Sequence, residues 1–203
     1  MHQNVANDGV PGVTQCPIPP GGNFTYTFHA SSYGTTWYHS HFSLQYSNGL
    51  IGPIVIHGPT SANWDIDLGP VGLTDWYHEE AFKAFYTFRT APGAAQNALF
   101  NGMNTFNDSG TIVGQKYETT FTPGKKHRLR IINMSSDSHF KFSIDHHLMT
   151  VQAADFVPIE PYTTDMLNIF VGISSPGSVS DDQGKGMILL WKQINQSGII
   201  GCG

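Results

Sequence analysis

Apolar and polar residues alternate with a period of two along much of this chain, in short runs broken by glycine- and proline-bearing turns. Phe24, Tyr26 and Phe28 alternate with Thr25 and Thr27, which predicts a half-buried strand over 24–28. Residues 37–41 predict a second strand, and 51–57 a third, opened by Gly52-Pro53. Gly, Pro, Ser and Asn then cluster over 58–67 as in a linker, and 71–76 begins a second series. That series continues through 117–121, 127–132, 140–144 and 149–153. Residues 78–85, with Glu79, Glu80, Ala81 and Ala84, suit a short helix. Residues 91–114 read as loop-rich, with Asn101-Gly102 as a turn. Sheets of this pattern pack face to face, so the predicted fold is all-β, a sandwich or Greek-key barrel repeated in two units.

Composition narrows the possibilities. Charged residues make up only 12% of 203 positions while Gly (22) and Pro (12) are plentiful, which favours turn-rich β structure over helices. A net charge of -5 leaves no basic footprint for nucleic acid. No apolar run approaches the ~18 residues of a membrane-spanning helix, so no membrane partner is expected. Asn23-Phe24-Thr25, Asn107-Asp108-Ser109, Asn133-Met134-Ser135 and Asn195-Gln196-Ser197 are acceptor triplets for N-glycosylation, pointing to a secreted, extracellular glycoprotein.

The chemistry concentrates in Trp37-Tyr38-His39-Ser40-His41-Phe42. On a strand, His39 and His41 project from one face about 6.6 Å apart, too far to chelate one ion comfortably. The spacing suits two neighbouring metals, each taking one imidazole. Neutral imidazole serves copper, zinc, nickel or iron, so the ligand type leaves the metal open. His146-His147 differs, because adjacent strand residues face opposite ways and cannot share an ion. His78, His127 and His139 read as polar surface or pocket-wall residues, Trp76 and Tyr77 as core, and Gly49 and Gly52 as turn glycines near the histidines.

The stretch from Thr35-Thr36-Trp37-Tyr38-His39-Ser40-His41 through Ser47-Asn48-Gly49-Leu50-Ile51-Gly52-Pro53 closely resembles the second copper-binding signature of multicopper oxidases, in the form seen in fungal laccases. Leu73-Thr74-Asp75-Trp76-Tyr77-His78, Pro123-Gly124-Lys125 and Phe142-Ser143-Ile144-Asp145 extend the likeness over most of the chain. The resemblance implies cupredoxin-like domains, with the end of one at 1–60 and most of a second at 61–169. It implies that His39 and His41 each bind one copper of a type-3 pair, in an enzyme carrying four coppers. That enzyme would couple one-electron oxidation of phenolic substrates (benzenediols) to reduction of dioxygen to water, and the sequence does not choose among lignin breakdown, pigment formation and detoxification as its role. Asp137 falls where such enzymes place an acid against the phenol hydroxyl, although a turn-capping aspartate after two serines would look the same. Asp75-Trp76 repeats a pattern of structural role.

The resemblance also marks what is not seen. A first copper segment, H-W-H-G, is expected immediately before Met1, and the remaining two in a third domain with the type-1 cysteine. The chain is therefore expected to be an internal fragment, inert alone. Cys16 resembles a cysteine bridged to that further part, so a free thiol is expected. Many related enzymes bridge the positions of Ser47 and Ser136, which here are both serine. From about residue 170 the family pattern stops, and Phe170-Val171-Gly172-Ile173-Ser174 stands where a G-Q-R-Y-D-like strand is expected. Codons can be chosen for 191–203 that, read two nucleotides later, restore the family's Y-W-x-R ending. Residues 170–203 are accordingly expected to be an out-of-frame or intron-derived translation, which sequencing of the spliced transcript would test. The rival readings are another multicopper oxidase, of ascorbate oxidase or ferroxidase type, and a non-catalytic cupredoxin-like binding module.

Overall fold

The computed structural model describes residues 7–87, 94–180, 189–195 and 198–201, the last two segments as backbone alone. Strands β1 (Gly34–His39) and β2 (Ile51–Ile56) form an antiparallel hairpin. Strand β3 (Ile66–Trp76) leads into helix α1 (Ala81–Thr87), followed by β4 (Asn97–Phe100), β5 (Thr105–Asp108) and β6 (Thr111–Gly114). Then come β7 (Lys126–Asn133), β8 (His139–Ile144), β9 (Met149–Ala154), β10 (Val157–Thr164), β11 (Leu167–Ile169) and β12 (Ser174–Ser180). Strands β13 (Leu189–Asn195) and β14 (Gly198–Gly201) close the order.

A six-stranded sheet, β10-β9-β12-β7-β3-β4, packs on a four-stranded one, β11-β8-β13-β14, which makes the all-β sandwich expected from the alternation. Central β7 shows the rule that builds it. Leu129 and Ile131 point into the core with Phe140, Phe142 and Ile144 of β8 and Met149 and Val151 of β9. Arg128 and Arg130, at the alternate positions, are buried on the opposite face, where the β1–β2 hairpin docks. Burying a side chain such as Phe142 contributes about 1.5–3 kcal/mol.

The docked face is a polar joint. Arg130 donates to Thr35 Oγ1 at 3.0 Å and to Asp67 Oδ2 at 3.0 Å. Arg128 donates to the same carboxylate through Nε at 3.0 Å and through a second, shorter bond, while its guanidinium lies 4.0 Å over the Trp64 ring. Thr35 is fully buried: its N–H donates to Asp155 O, and its carbonyl accepts from Ser174 Oγ. The joint fixes β1, and hence the strand end that carries His39.

Several expectations fail for local reasons. Residues 24–28 form no strand; Phe24, Tyr26 and Phe28 are exposed and pair with no ladder among the described residues. Residues 117–121 also lack a ladder, although Tyr117 packs on Phe100 at 4.9 Å and Phe121 is buried. The linker ends earlier than expected, since β3 already begins at Ile66. The helix begins three residues late, where Asn48 Oδ1 accepts the Ala81 N–H at 2.8 Å. The loop-rich 91–114 region holds three short strands, because Asn97 and Asn104 side chains tie the β4–β5 connection to Ala98 and Thr105 backbone. His127 is no surface or pocket-wall residue. It is fully buried, edge-on to Phe121 at 4.9 Å, and its Nε2 accepts the Thr122 N–H.

The expected frame change at 170–203 falls partly on residues outside those described; of the described part, β12 pairs with β7 and β9. Cys16 is free and exposed, and Cys202 lies outside the described residues. Among the described residues no helix is long and apolar enough to cross a membrane.

Candidate metal centre

Trp37, Tyr38 and His39 end strand β1, and period-two alternation sends Trp37 and His39 to one face and Tyr38 to the other. The strand stops at His39 rather than reaching 41. Ser40 Oγ accepts the Phe42 N–H at 3.2 Å and donates to Gln45 Oε1 at 2.7 Å, an alternative to ladder bonding. His41 nonetheless stays beside His39, with ring centroids 6.1 Å apart and planes inclined by 41°. Trp37 stacks on His39 at 4.6 Å, and Tyr46 approaches the same imidazole edge-on at 5.9 Å. This partial burial, together with the charge of His41, holds the His39 pKa below its usual value, so the neutral, metal-binding form is favoured.

The loop 42–50 returns the chain to β2. Gly49, at φ 94°, makes the last turn, and a Cβ there would stand 3.4 Å from the Trp76 ring. Gly49→Ala is expected to cost about 1–3 kcal/mol, read by chemical denaturation. An unchanged midpoint would show that this turn is not held in the left-handed region.

The structure places Asp137 on a different element. Its loop joins β7 to β8 and is gripped by the buried carboxylate of Asp75, at the end of β3. Asp75 Oδ1 accepts the Ser136 N–H at 2.8 Å; Oδ2 accepts those of Asp137 at 2.9 Å and Ser138 at 3.1 Å. The Asp137 side chain is exposed. Ser136 Oγ meets Ser47 Oγ at 3.0 Å, tying this loop to the segment that follows His41. The two serines at the positions that related enzymes bridge thus meet through a hydrogen bond.

Tyr77 links the two regions. Burial, followed by the charges of Asp75 and Asp137 and then Tyr46, pushes its phenol up to about 12. Thus Asp137 of the β7–β8 loop, Asp75 and Tyr77 at the end of β3, and Tyr46 and His39 of the β1–β2 hairpin form one neighbourhood. The sequence reading missed Tyr46 and Tyr77 as members, and took Tyr77 for core although it is only half-buried. The signal for Asp75 was its carboxylate at a strand end, but its partners lie some sixty positions on. His78 stacks on Phe106 at 3.9 Å, and His139 lies against Phe170 at 4.9 Å. His147 Nδ1 is 2.6 Å from Asp145 O. None of these three is brought to His39.

Can these residues hold a metal? Two imidazoles, exposed and side by side, fit two adjacent ions with one donor each. Among the described residues no group of three or more His, Cys, Asp or Glu could hold an ion, so the pair alone would be a partial donor set. The fold is that of a cupredoxin-like β protein, and it sets two histidines side by side at a strand end.

Comparison with known proteins gives that class its family. The multicopper oxidase family matches residues 67–175 and, in a second match, 1–61. The chain belongs to the multicopper oxidase family, whose cofactor is copper. It is 54% identical over 172 residues to Laccase-2 of Botryotinia fuckeliana, covering 81% of this chain and 30% of that protein. Against the laccase of Cryphonectria parasitica it is 50% identical over 198 residues, with 97% and 33% covered. The crystal structure of laccase from Botrytis aclada superimposes with a TM-score of 0.87 at 49% identity, covering 93% of this chain and 37% of that one. The chain spans about a third of the length of these relatives.

Proposed function

We propose that this chain is part of a secreted laccase, which couples one-electron oxidation of phenolic molecules to four-electron reduction of dioxygen to water. The observation that carries this reading is the His39–His41 pair, 6.1 Å apart at the end of β1, within a segment of laccase character. Copper, when bound, supplies the one-electron redox chemistry. His39 and His41 each give one neutral imidazole to a metal pair. Trp37 covers one face of His39, restricting the ring and excluding water from that side. Asp137 receives the phenolic proton at its exposed carboxylate as the electron leaves, because oxidising a phenol acidifies its O–H sharply.

The test is oxygen uptake by the complete copper-loaded oxidase that carries this segment. Four molecules of a benzenediol, each losing one electron, should be consumed per dioxygen, with water as product. Peroxide as the sole product, or uptake indifferent to copper removal, would overturn the reading.

Secretion carries its own prediction. Asn23 and Asn107 are exposed, Asn107 within β5 of the β5–β6 hairpin. Asn133 is fully buried; its amide donates to Ser138 O at 2.8 Å and Ile169 O at 2.9 Å. Peptide mapping of the secreted protein is expected to find glycan on Asn23 or Asn107 and none on Asn133. A glycan on Asn133 would be incompatible with this packing.

A further inference from the structure

Asp75 is nearly sealed, at 5% exposure, yet no cation neutralises it among the described residues. Three backbone N–H groups take up its two oxygens instead, and all three belong to consecutive residues of the loop that carries Asp137. A fourth bond runs the other way, from the Asp75 N–H to Ser135 Oγ at 3.0 Å. Ser135 is itself held, its N–H donating to Asn133 Oδ1 at 3.0 Å. Four consecutive residues, 135–138, are thus pinned to one aspartate, while the Asp137 carboxylate is left exposed. A buried carboxylate costs heavily to desolvate, and these amides compensate it only while the loop keeps this shape. The grip therefore acts on the direction in which Asp137 points. On the far side, the Ser136–Ser47 hydrogen bond fixes the same loop against the segment after His41.

We propose that Asp75 is a positioning residue for Asp137, holding the loop in the one shape that aims the Asp137 carboxylate at a phenol hydroxyl. The inference rests on the reading of Asp137 as the substrate acid given above. Asp75 touches no substrate and exchanges no proton. An asparagine in its place sets an N–H donor against backbone N–H donors, and the loop must shift. Displacing a reacting group by about 1 Å costs on the order of 100-fold in rate.

The experiment compares Asp75→Asn, Asp137→Asn and the double variant in the complete copper-loaded oxidase. Two electron donors are used: a benzenediol, and ferrocyanide, which has no proton to lose. For Asp75→Asn the ratio of benzenediol to ferrocyanide kcat/KM is expected to fall about 10- to 100-fold. The double variant is expected to show the same ratio as Asp137→Asn within about twofold, because the two residues act as one unit. An equal loss with both donors, or an additive loss in the double variant, would overturn the positioning role and leave the substrate-acid reading intact. An unchanged ratio in Asp137→Asn would overturn both. Should Asp75→Asn not fold, amide hydrogen exchange in the unaltered protein still decides. The N–H groups of Ser136, Asp137 and Ser138 must be protected, that of Asp137 although the residue is exposed, and free exchange there refutes the clamp.

Discussion

Replacing Asp67 with alanine is expected to destabilise the fold by about 3–5 kcal/mol, the usual result of removing one partner of a buried charge cluster. Asp67 Oδ2 accepts from both Arg128 and Arg130, whose side chains are only 5% and 6% exposed. Without the carboxylate, two guanidinium groups remain buried and share no anion. Arg130 also holds Thr35, so the hairpin bearing His39 loosens along with the sheet. Burial alone would raise the Asp67 pKa. The hydrogen bonds from Arg128 and the Gly69 N–H, with the charges of Arg130 and Arg128, outweigh it and hold the carboxyl below its ordinary range. A folded-state pKa below the unfolded one adds stability that is full above about pH 4 and is lost as pH falls through the folded value. Urea midpoints measured from pH 7 downward should thus converge for the parent and Asp67→Ala as acid is added. A variant within about 0.5 kcal/mol of the parent at pH 7 would show that the cluster is solvent-screened after all.

How much of this was legible beforehand follows the reach of each interaction. Strands β7, β8 and β9 were readable because alternation is local: Leu129 and Ile131 announce one buried face, whichever strand covers it. Residues 24–28 carry the same alternation and form no strand, since a ladder needs a partner that the pattern does not contain. The His39–His41 pair was legible because residues two positions apart along a strand share a face. Even so, the strand stops at His39, and a serine turn keeps His41 alongside. Other features were hidden for a different reason. Asp67 finds Arg128 and Arg130, and Asp75 finds Ser136, across some sixty residues of chain. Nothing in the string Arg128-Leu129-Arg130 shows that both guanidinium groups are buried where the hairpin docks. His127 was hidden in the same way: its Nε2 takes one backbone N–H beside Phe121 in the core, while its Nδ1 is buried without a hydrogen-bond partner among the described residues.

Removing either imidazole of the pair is expected to abolish dioxygen reduction in the complete oxidase while leaving the fold intact. His39 and His41 are both exposed, and their replacement by alanine opens no cavity in the sandwich core. Stability of the metal-free variants should therefore stay within about 0.5 kcal/mol of the parent, as for most surface changes. The metal should respond very differently. Losing a residue that merely orients a ligand costs a metal site roughly 10- to 100-fold, and losing the ligand itself should exceed that. His39→Ala also strips Trp37 and Tyr46 of the ring they flank, so no neighbouring donor is poised to replace it. Metal analysis, oxygen uptake and thermal unfolding on one preparation separate the two effects: copper content and uptake should fall together while the apo transition stays put. If His39→Ala and His41→Ala both retain full copper and full oxygen uptake, the imidazoles decorate the strand end and the paired-metal assignment fails. If the apo transition collapses instead, the pair serves the hairpin joint and its proximity to a metal is incidental. The geometry argues for the first pattern, because what fixes the hairpin is Thr35 against Arg130 and Ser174, at the opposite end of β1 from His39.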